Sequence, residues 1–141
     1  MDHVGINVED LEAAKEFFLD LGLTVQWEAD LGGELVERVI KLKNVRDRAV
    51  MLQTPDGRGV IELVKFYSPI DEKGIQPSFA NTLGIRHVAF LVDDVEWVVA
   101  KLKTKGVELF GEIVNYENIY KDCFVRGPEG IIVELAEKIN S

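Results

Sequence analysis

Cysteine is nearly absent from this chain: Cys123 is the only one in 141 residues. A single thiol excludes an internal disulfide and fits a reducing compartment. Positive charge is also scarce, with 16 Lys+Arg against 25 Asp+Glu and a formal net charge of −9. A phosphate-binding face needs clustered Lys and Arg, so nucleic acid and anionic membrane are excluded as partners. No apolar run approaches the roughly 20 residues needed to span a bilayer. The start, MDHVGINVED, has neither the basic nor the apolar stretch of a secretory signal, so a cytoplasmic location is expected. Histidine is nearly as scarce as cysteine, with only His3 and His87. A hydrophobic share of 47% is enough for an ordinary globular core and excludes disorder as the general state.

The two histidines open the two copies of an internal repeat. His3–Leu23 laid over His87–Val107 gives identity at His3/His87, Val4/Val88, Val8/Val92, Asp10/Asp94, Glu12/Glu96 and Gly22/Gly106. A second echo follows in the same order, PDGRGVIELVKF (Pro55–Phe66) against PEGIIVELAEK (Pro128–Lys138). Two echoes in one order indicate two copies of one module. Each copy predicts a strand (His3–Val8, His87–Val92) and then a helix capped by Asp10 or Asp94. Leu11, Ala14, Phe17, Phe18 and Leu21 fall on one face of the first helix, and Val95, Val98, Val99 and Leu102 on one face of the second. Gly22 and Gly106 stand where a helix ends with positive φ. Strand-like runs follow at Leu23–Glu28 and Val107–Tyr116, and Pro-Asp-Gly and Pro-Glu-Gly supply turns before the last strand. The module reads βαβββ, an α+β design. Modules 1–66 and 85–138 are joined by a turn-rich linker, 67–84, and together form a single domain, 1–141. Glu34–Leu42 carries its apolar residues with helical spacing, which predicts a short extra helix.

Alternation along a strand places His3, Gly5 and Asn7 on one face, and His87, Ala89 and Leu91 on the matching face of the second copy. Each His has a small neighbour two residues along. The last strand of each copy carries one carboxylate in apolar company, Glu62 in VIELV and Glu134 in IIVELA. A carboxylate amid apolar residues is costly unless paired or metal-bound. His3, Glu62, His87 and Glu134 therefore form a repeated His–Glu set. If the two modules face one another across a pseudo-two-fold axis, two nitrogens and two oxygens converge on one divalent ion, with room left for water or substrate. Zn, Ni, Co, Mn and Fe all suit such donors. Cys123 reads as a packed thiol, and Trp27 and Trp97 as core or interface aromatics.

At these residues the chain resembles the vicinal oxygen chelate superfamily, also called the glyoxalase/bleomycin resistance/dioxygenase superfamily. The resemblance rests on HVGINVEDLEAAKEFF, PDGRGVIELVKF, IRHVAFLVDDVEWVVAKLKTKG and GPEGIIVELAEK, and it spans essentially the whole chain. It implies paired βαβββ modules forming a curved, partly open mixed β-barrel around a divalent metal held by His3, Glu62, His87 and Glu134. Glu at position 62 is the pattern of glyoxalase I, a lyase that isomerises a glutathione hemithioacetal. The resemblance thus implies a cytoplasmic homodimer acting as a metal-dependent lyase or isomerase on a small molecule. Its metal would be Zn, Ni or Co, with Mn or Fe as the other choices. Glu134 is the expected base and Glu62 its symmetric partner.

Two positions depart from bacterial glyoxalase I, and both bear on glutathione. Asn7 stands where an Arg binds the glutathione carboxylate, and Phe66 where an Asn contacts glutathione. With its extra helix and long linker, the chain is closest to glyoxalase I-like metalloenzymes of an uncharacterised bacterial branch. Two alternatives within the superfamily are a metal-free binding protein of the bleomycin-resistance type and an Fe or Mn extradiol-type dioxygenase. The first leaves the four ligand-type residues unexplained. The second has no carboxylate ligand at the place of Glu62.

Overall fold

The computed structural model describes residues 1–139 and divides into two compact units, Met1–Gly74 and Ile75–Ser141. The first unit contains β1 (Val4–Asn7), α1 (Leu11–Asp20), β2 (Thr24–Gly32), α2 (Glu34–Ile40), β3 (Arg46–Gln53) and β4 (Val60–Ser68). The second contains β5 (His87–Leu91), α3 (Val95–Lys103), β6 (Glu108–Tyr116), β7 (Tyr120–Arg126) and β8 (Ile132–Lys138), with a 3₁₀ turn at Pro128–Gly130. Each unit is thus a βαβββ module, and the first carries the added helix α2.

Both sheets have the same topology, β1-β4-β3-β2 and β5-β8-β7-β6. The first strand pairs parallel with the last, and the other pairs are antiparallel. Each unit therefore holds an open four-stranded mixed sheet, and no ladder among the described residues closes either sheet into a barrel.

The helix in each unit lies where its cap and its apolar stripe place it. Asp10 Oδ1 accepts from Ala13 N–H at 3.0 Å, and Asp94 Oδ1 accepts from Trp97 N–H at 3.0 Å. Both helices end in the same pair of bonds, Gly22 N–H to Leu19 O with Leu23 N–H to Phe18 O, and Gly106 N–H to Lys103 O with Val107 N–H to Leu102 O. That closure needs a left-handed residue, and the two glycines supply φ of +98° and +82°. Replacing Asp10 with Ala removes the cap from an otherwise unsatisfied N–H. Urea unfolding should show a loss of about 1 kcal/mol.

The helix-facing side of each sheet forms the core. In the first unit Leu11, Ala14, Phe17 and Phe18 cover Val50, Leu52, Ile61 and Leu63. In the second Val95, Val99 and Leu102 cover Cys123, Val125, Val133 and Leu135. Leu21 and Val98, assigned to these faces from their spacing, are only partly buried. Of the two roles expected for the tryptophans, core or interface, the core role is not met, because Trp27 is 41% exposed and Trp97 62%. Trp27 pairs with Met51 on the sheet face away from α1, and Trp97 lies on α3 away from its buried stripe. Helix α2 forms over Glu34–Ile40 as its periodicity predicts, yet it buries none of its residues. Among the described residues, no helix is long and apolar enough to cross a membrane.

Candidate metal centre

The opposite face of each sheet carries the residues of interest, and the strand register shows how they meet. Gly5 is the parallel partner of Glu62, and Ala89 is the partner of Glu134. Each His lies two residues before the small partner, so its ring reaches along the strand toward the carboxylate. His3 Nε2 stands 3.8 Å from Glu62 Oε1, and His87 Nε2 stands 3.3 Å from Glu134 Oε1. A Cβ added at Gly5 would meet Glu62 Oε1 at 3.9 Å, an ordinary contact. The position thus accepts alanine as well as glycine, and Ala89 fills its counterpart.

The glutamates sit on half-covered strands. Ile61 and Leu63, and Val133 and Leu135, are buried toward the helices, while the side chains of Glu62 and Glu134 remain 23% and 25% exposed. Apolar residues flank each glutamate in sequence because the helix side of the strand is buried, not because both faces are.

Neighbouring groups tune each pair differently. Asp2 Oδ2 lies 2.6 Å from His3 Nδ1. This hydrogen bond is the first cause of a raised His3 pKa, opposed by desolvation and aided by the charges of Glu62 and Asp2. It also leaves Nε2 turned toward Glu62, as in a metal-ligating His whose other nitrogen donates to a carboxylate. His87 has no such partner in sequence and instead packs on the Phe124 ring, with centroids 4.9 Å apart. Glu134 has a raised pKa, first through desolvation and then through the charge and hydrogen bond of Asp122, against the lowering influence of His87.

Asp2 and Asp122 escape a reading of the sequence. Asp2 precedes the strand, and Asp122 becomes a neighbour of Glu134 only through the β7–β8 register, which sets Phe124 opposite Glu134 and Asp122 opposite Ala136. The phase of β7 carries the one usable signal, an acid two residues from an aromatic on the same face.

The donor set fits a divalent ion. Two ligands at roughly 2.1 Å from one ion lie about 3.0–3.4 Å apart for angles between octahedral and tetrahedral. The His87–Glu134 separation falls in that range, and the His3–Glu62 separation lies just above it. Each unit thus brings one imidazole and one carboxylate together. A different set of three acids also clusters among the described residues, Asp94, Glu96 and Glu137. These already serve the fold: Asp94 caps α3, Glu137 accepts from Val95 N–H at 2.9 Å, and Glu96 pairs with Lys121.

Two further groups lie outside the His–Glu pairs. The Cys123 thiol is 4% exposed on the helix side of β7, and its pKa is pushed up to about 11, first by burial and then by Asp122, Glu96 and Glu134. It is a packed thiol, as its neighbours in sequence suggest. A thiol reagent such as DTNB at pH 8 should leave the native protein essentially unmodified and titrate one thiol per chain after denaturation.

Asp47, on β3 of the first unit, is the one buried charged residue among those described, at 6% exposure, and its Oδ1 has no hydrogen-bond partner. Burial raises its pKa. An acid raised in the folded state binds its proton more tightly there than in the unfolded chain, so its penalty is full above the folded pKa and fades as pH falls through it. Asp47→Asn should therefore stabilise the protein at neutral pH by about 1 kcal/mol, and the gain should shrink in acid. Thermal melts from pH 7 to pH 4 measure both effects.

Comparison with known proteins agrees with this architecture. Residues 1–135 match the family model described as the Glyoxalase/Bleomycin resistance protein/Dioxygenase superfamily. The uncharacterized protein YaeR of Escherichia coli is 30% identical over 137 residues, covering 96% of this chain and 94% of its own. A crystal structure of a glyoxalase family protein from Bacillus cereus has 41% identity and a TM-score of 0.92, with 99% and 94% of the two chains covered. The trypanothione-dependent glyoxalase I of Leishmania major has 25% identity and a TM-score of 0.66, over 97% of this chain and 85% of its own. With the family model matched from the first residue to β8, the chain belongs to the glyoxalase/bleomycin resistance/dioxygenase superfamily.

Proposed function

We propose that the protein is a metal-dependent lyase or isomerase in which His3, Glu62, His87 and Glu134 share one divalent ion. The observation that carries this reading is the repeated pair, a His Nε2 facing a Glu Oε1 at corresponding places in two modules. Two imidazoles and two carboxylates favour Zn, Ni or Co, and also accommodate Mn or Fe. The setting proposed is a cytoplasmic homodimer acting on a small molecule. The similarity to glyoxalase I of Leishmania major supports the lyase assignment over the dioxygenase and metal-free binding alternatives.

A divalent ion held by His3, Glu62, His87 and Glu134 would supply Lewis-acid polarisation of substrate oxygen and so acidify an adjacent C–H bond. The protein's own residues then move the proton. The Glu134 carboxylate takes it up and returns it to the neighbouring carbon. Glu62 holds the symmetric place and orients the ligand set. Asp2 fixes the His3 ring so that Nε2 faces Glu62.

Metal analysis of the purified protein tests the reading, followed by assay against methylglyoxal with and without glutathione. One ion per chain, with a rise in Tm on loading, is the expected result. Protein that binds none of Ni, Co, Zn or Mn, and gains no thermal stability from them, would falsify it. Size-exclusion chromatography with light scattering checks the dimer.

A further inference from the structure

Apart from helix α2, the two modules differ where β6 leaves β7. In the first unit the corresponding edge strand has a small irregularity between Val25 and Trp27. In the second, Phe110 pairs with Phe124 and the next pair is Val114 with Asp122, so β6 runs longer than β7 between them. The surplus backbone turns through Gly111, at φ +41°, and interrupts the β6–β7 ladder. A cavity of about 540 Å³ opens there, on the face that carries Glu134. Small-molecule sites span roughly 300–1,000 Å³, so its size suits one compact ligand.

Its walls define what that ligand is. Four aromatic rings line it, Phe110, Tyr116, Tyr120 and Phe124, and Tyr116 is 63% exposed. Its charged lining residues are Glu112, Asp122 and Glu134, all acidic. Two cations share this sheet face and neither lines the cavity. Arg126 donates to Ser78 O and Gly130 O and stacks over Phe110 at 4.5 Å, and Lys138 lies opposite Tyr120 at the far end of the strands. If an ion engages Glu134, Glu112 and Asp122 still leave the cavity negative. Aromatic walls bind flat apolar groups and attract cations over their faces, and a negative lining repels a carboxylate.

We infer that this cavity receives a compact aromatic molecule bearing no negative charge, and that such a molecule, not an anionic thiol conjugate, is the substrate class of the site. Its location rests on the interrupted β6–β7 ladder and the four rings. Its link to turnover rests on the function proposed above, because Glu134 belongs to both.

Titration calorimetry with three probes of similar size tests the inference, on protein stripped of metal, where a carboxylate probe meets only the cavity walls. The probes are benzyl alcohol, benzyltrimethylammonium and benzoate. The alcohol and the ammonium ion should bind, with benzoate weaker by about tenfold or more. Phe124→Ala and, separately, Tyr120→Ala on the more open wall should each weaken the two binders by about tenfold. Changing Glu112 and Asp122 together to Gln and Asn should narrow the gap to benzoate. Equal binding of benzoate would overturn the inference, as would binding untouched by either aromatic substitution. Absence of binding by all three would overturn it too, and is the outcome if a second copy of the chain covers the cavity. A protein that ranks the probes as expected yet takes up no metal would refute the metal reading alone.

Discussion

Glu134→Gln protein should keep its fold and lose its ion. The substitution preserves shape but replaces an anionic donor with a neutral amide beside His87. Affinity for a divalent ion should fall by about a hundredfold or more, since even the groups that merely orient ligands contribute 10–100-fold. Turnover should fall further, by about 10²–10⁴, because the same carboxylate is the proposed proton carrier. Isothermal titration with Zn and Ni gives the first number and the steady-state rate at saturating metal the second. Glu62→Gln separates the two roles, since it should weaken the ion comparably while leaving a larger share of turnover once metal saturates. Equal residual rates in the two variants would show that the base has been assigned to the wrong carboxylate, or that the pair shares it.

The largest effect on stability is expected at Phe18. Its ring, on the buried face of α1, is fully buried and packs edge-on to Phe17, with centroids 5.1 Å apart and planes at 76°. Truncation to Ala removes the central side chain of the first unit and leaves a void bounded by strands that cannot collapse independently. The cost should be about 3–5 kcal/mol. That is a large share of a typical domain's total stability. Chemical denaturation followed by circular dichroism would record it. Because the chain forms two compact units, a second transition retained near its original midpoint would show that the second unit survives the loss.

Much of this molecule was legible before any coordinates. The repeat was visible because the same physical requirements recur: an Asp able to cap, an apolar stripe at helical spacing, and a glycine able to take positive φ at the helix end. Those demands are local, so local sequence reveals them. The His–Glu pairing was legible for a related reason, since strand alternation and the repeat together place all four groups on matching faces. Asp122 and Asp2 were hidden, because their partners are set by register and by the approach to the first strand. Trp27 and Trp97 misled as core candidates because size and hydrophobicity say how much a residue gains from burial but not which face of its element is covered. The cavity beside Glu134 depends on surplus backbone in β6, whose sequence, ELFGEIVNY, reads as an ordinary strand.

The short first strand has a consequence for how the protein opens. In each unit the strand that His3 immediately precedes or His87 begins is at the sheet edge, has four or five residues, and among the described residues is joined along one side only, to a strand almost a full module away in sequence, with Val4 meeting Ile61 and Val88 meeting Val133. Such a contact closes the longest loop in the unit, so it should form late in folding. It should also detach first in native fluctuations, and its amides should exchange with solvent well before those of β3 or β7. The imidazoles therefore stand at the start of the least tethered strand of each unit. Any occupant that holds His and Glu together should slow exchange there most of all, leaving the protected core nearly unchanged.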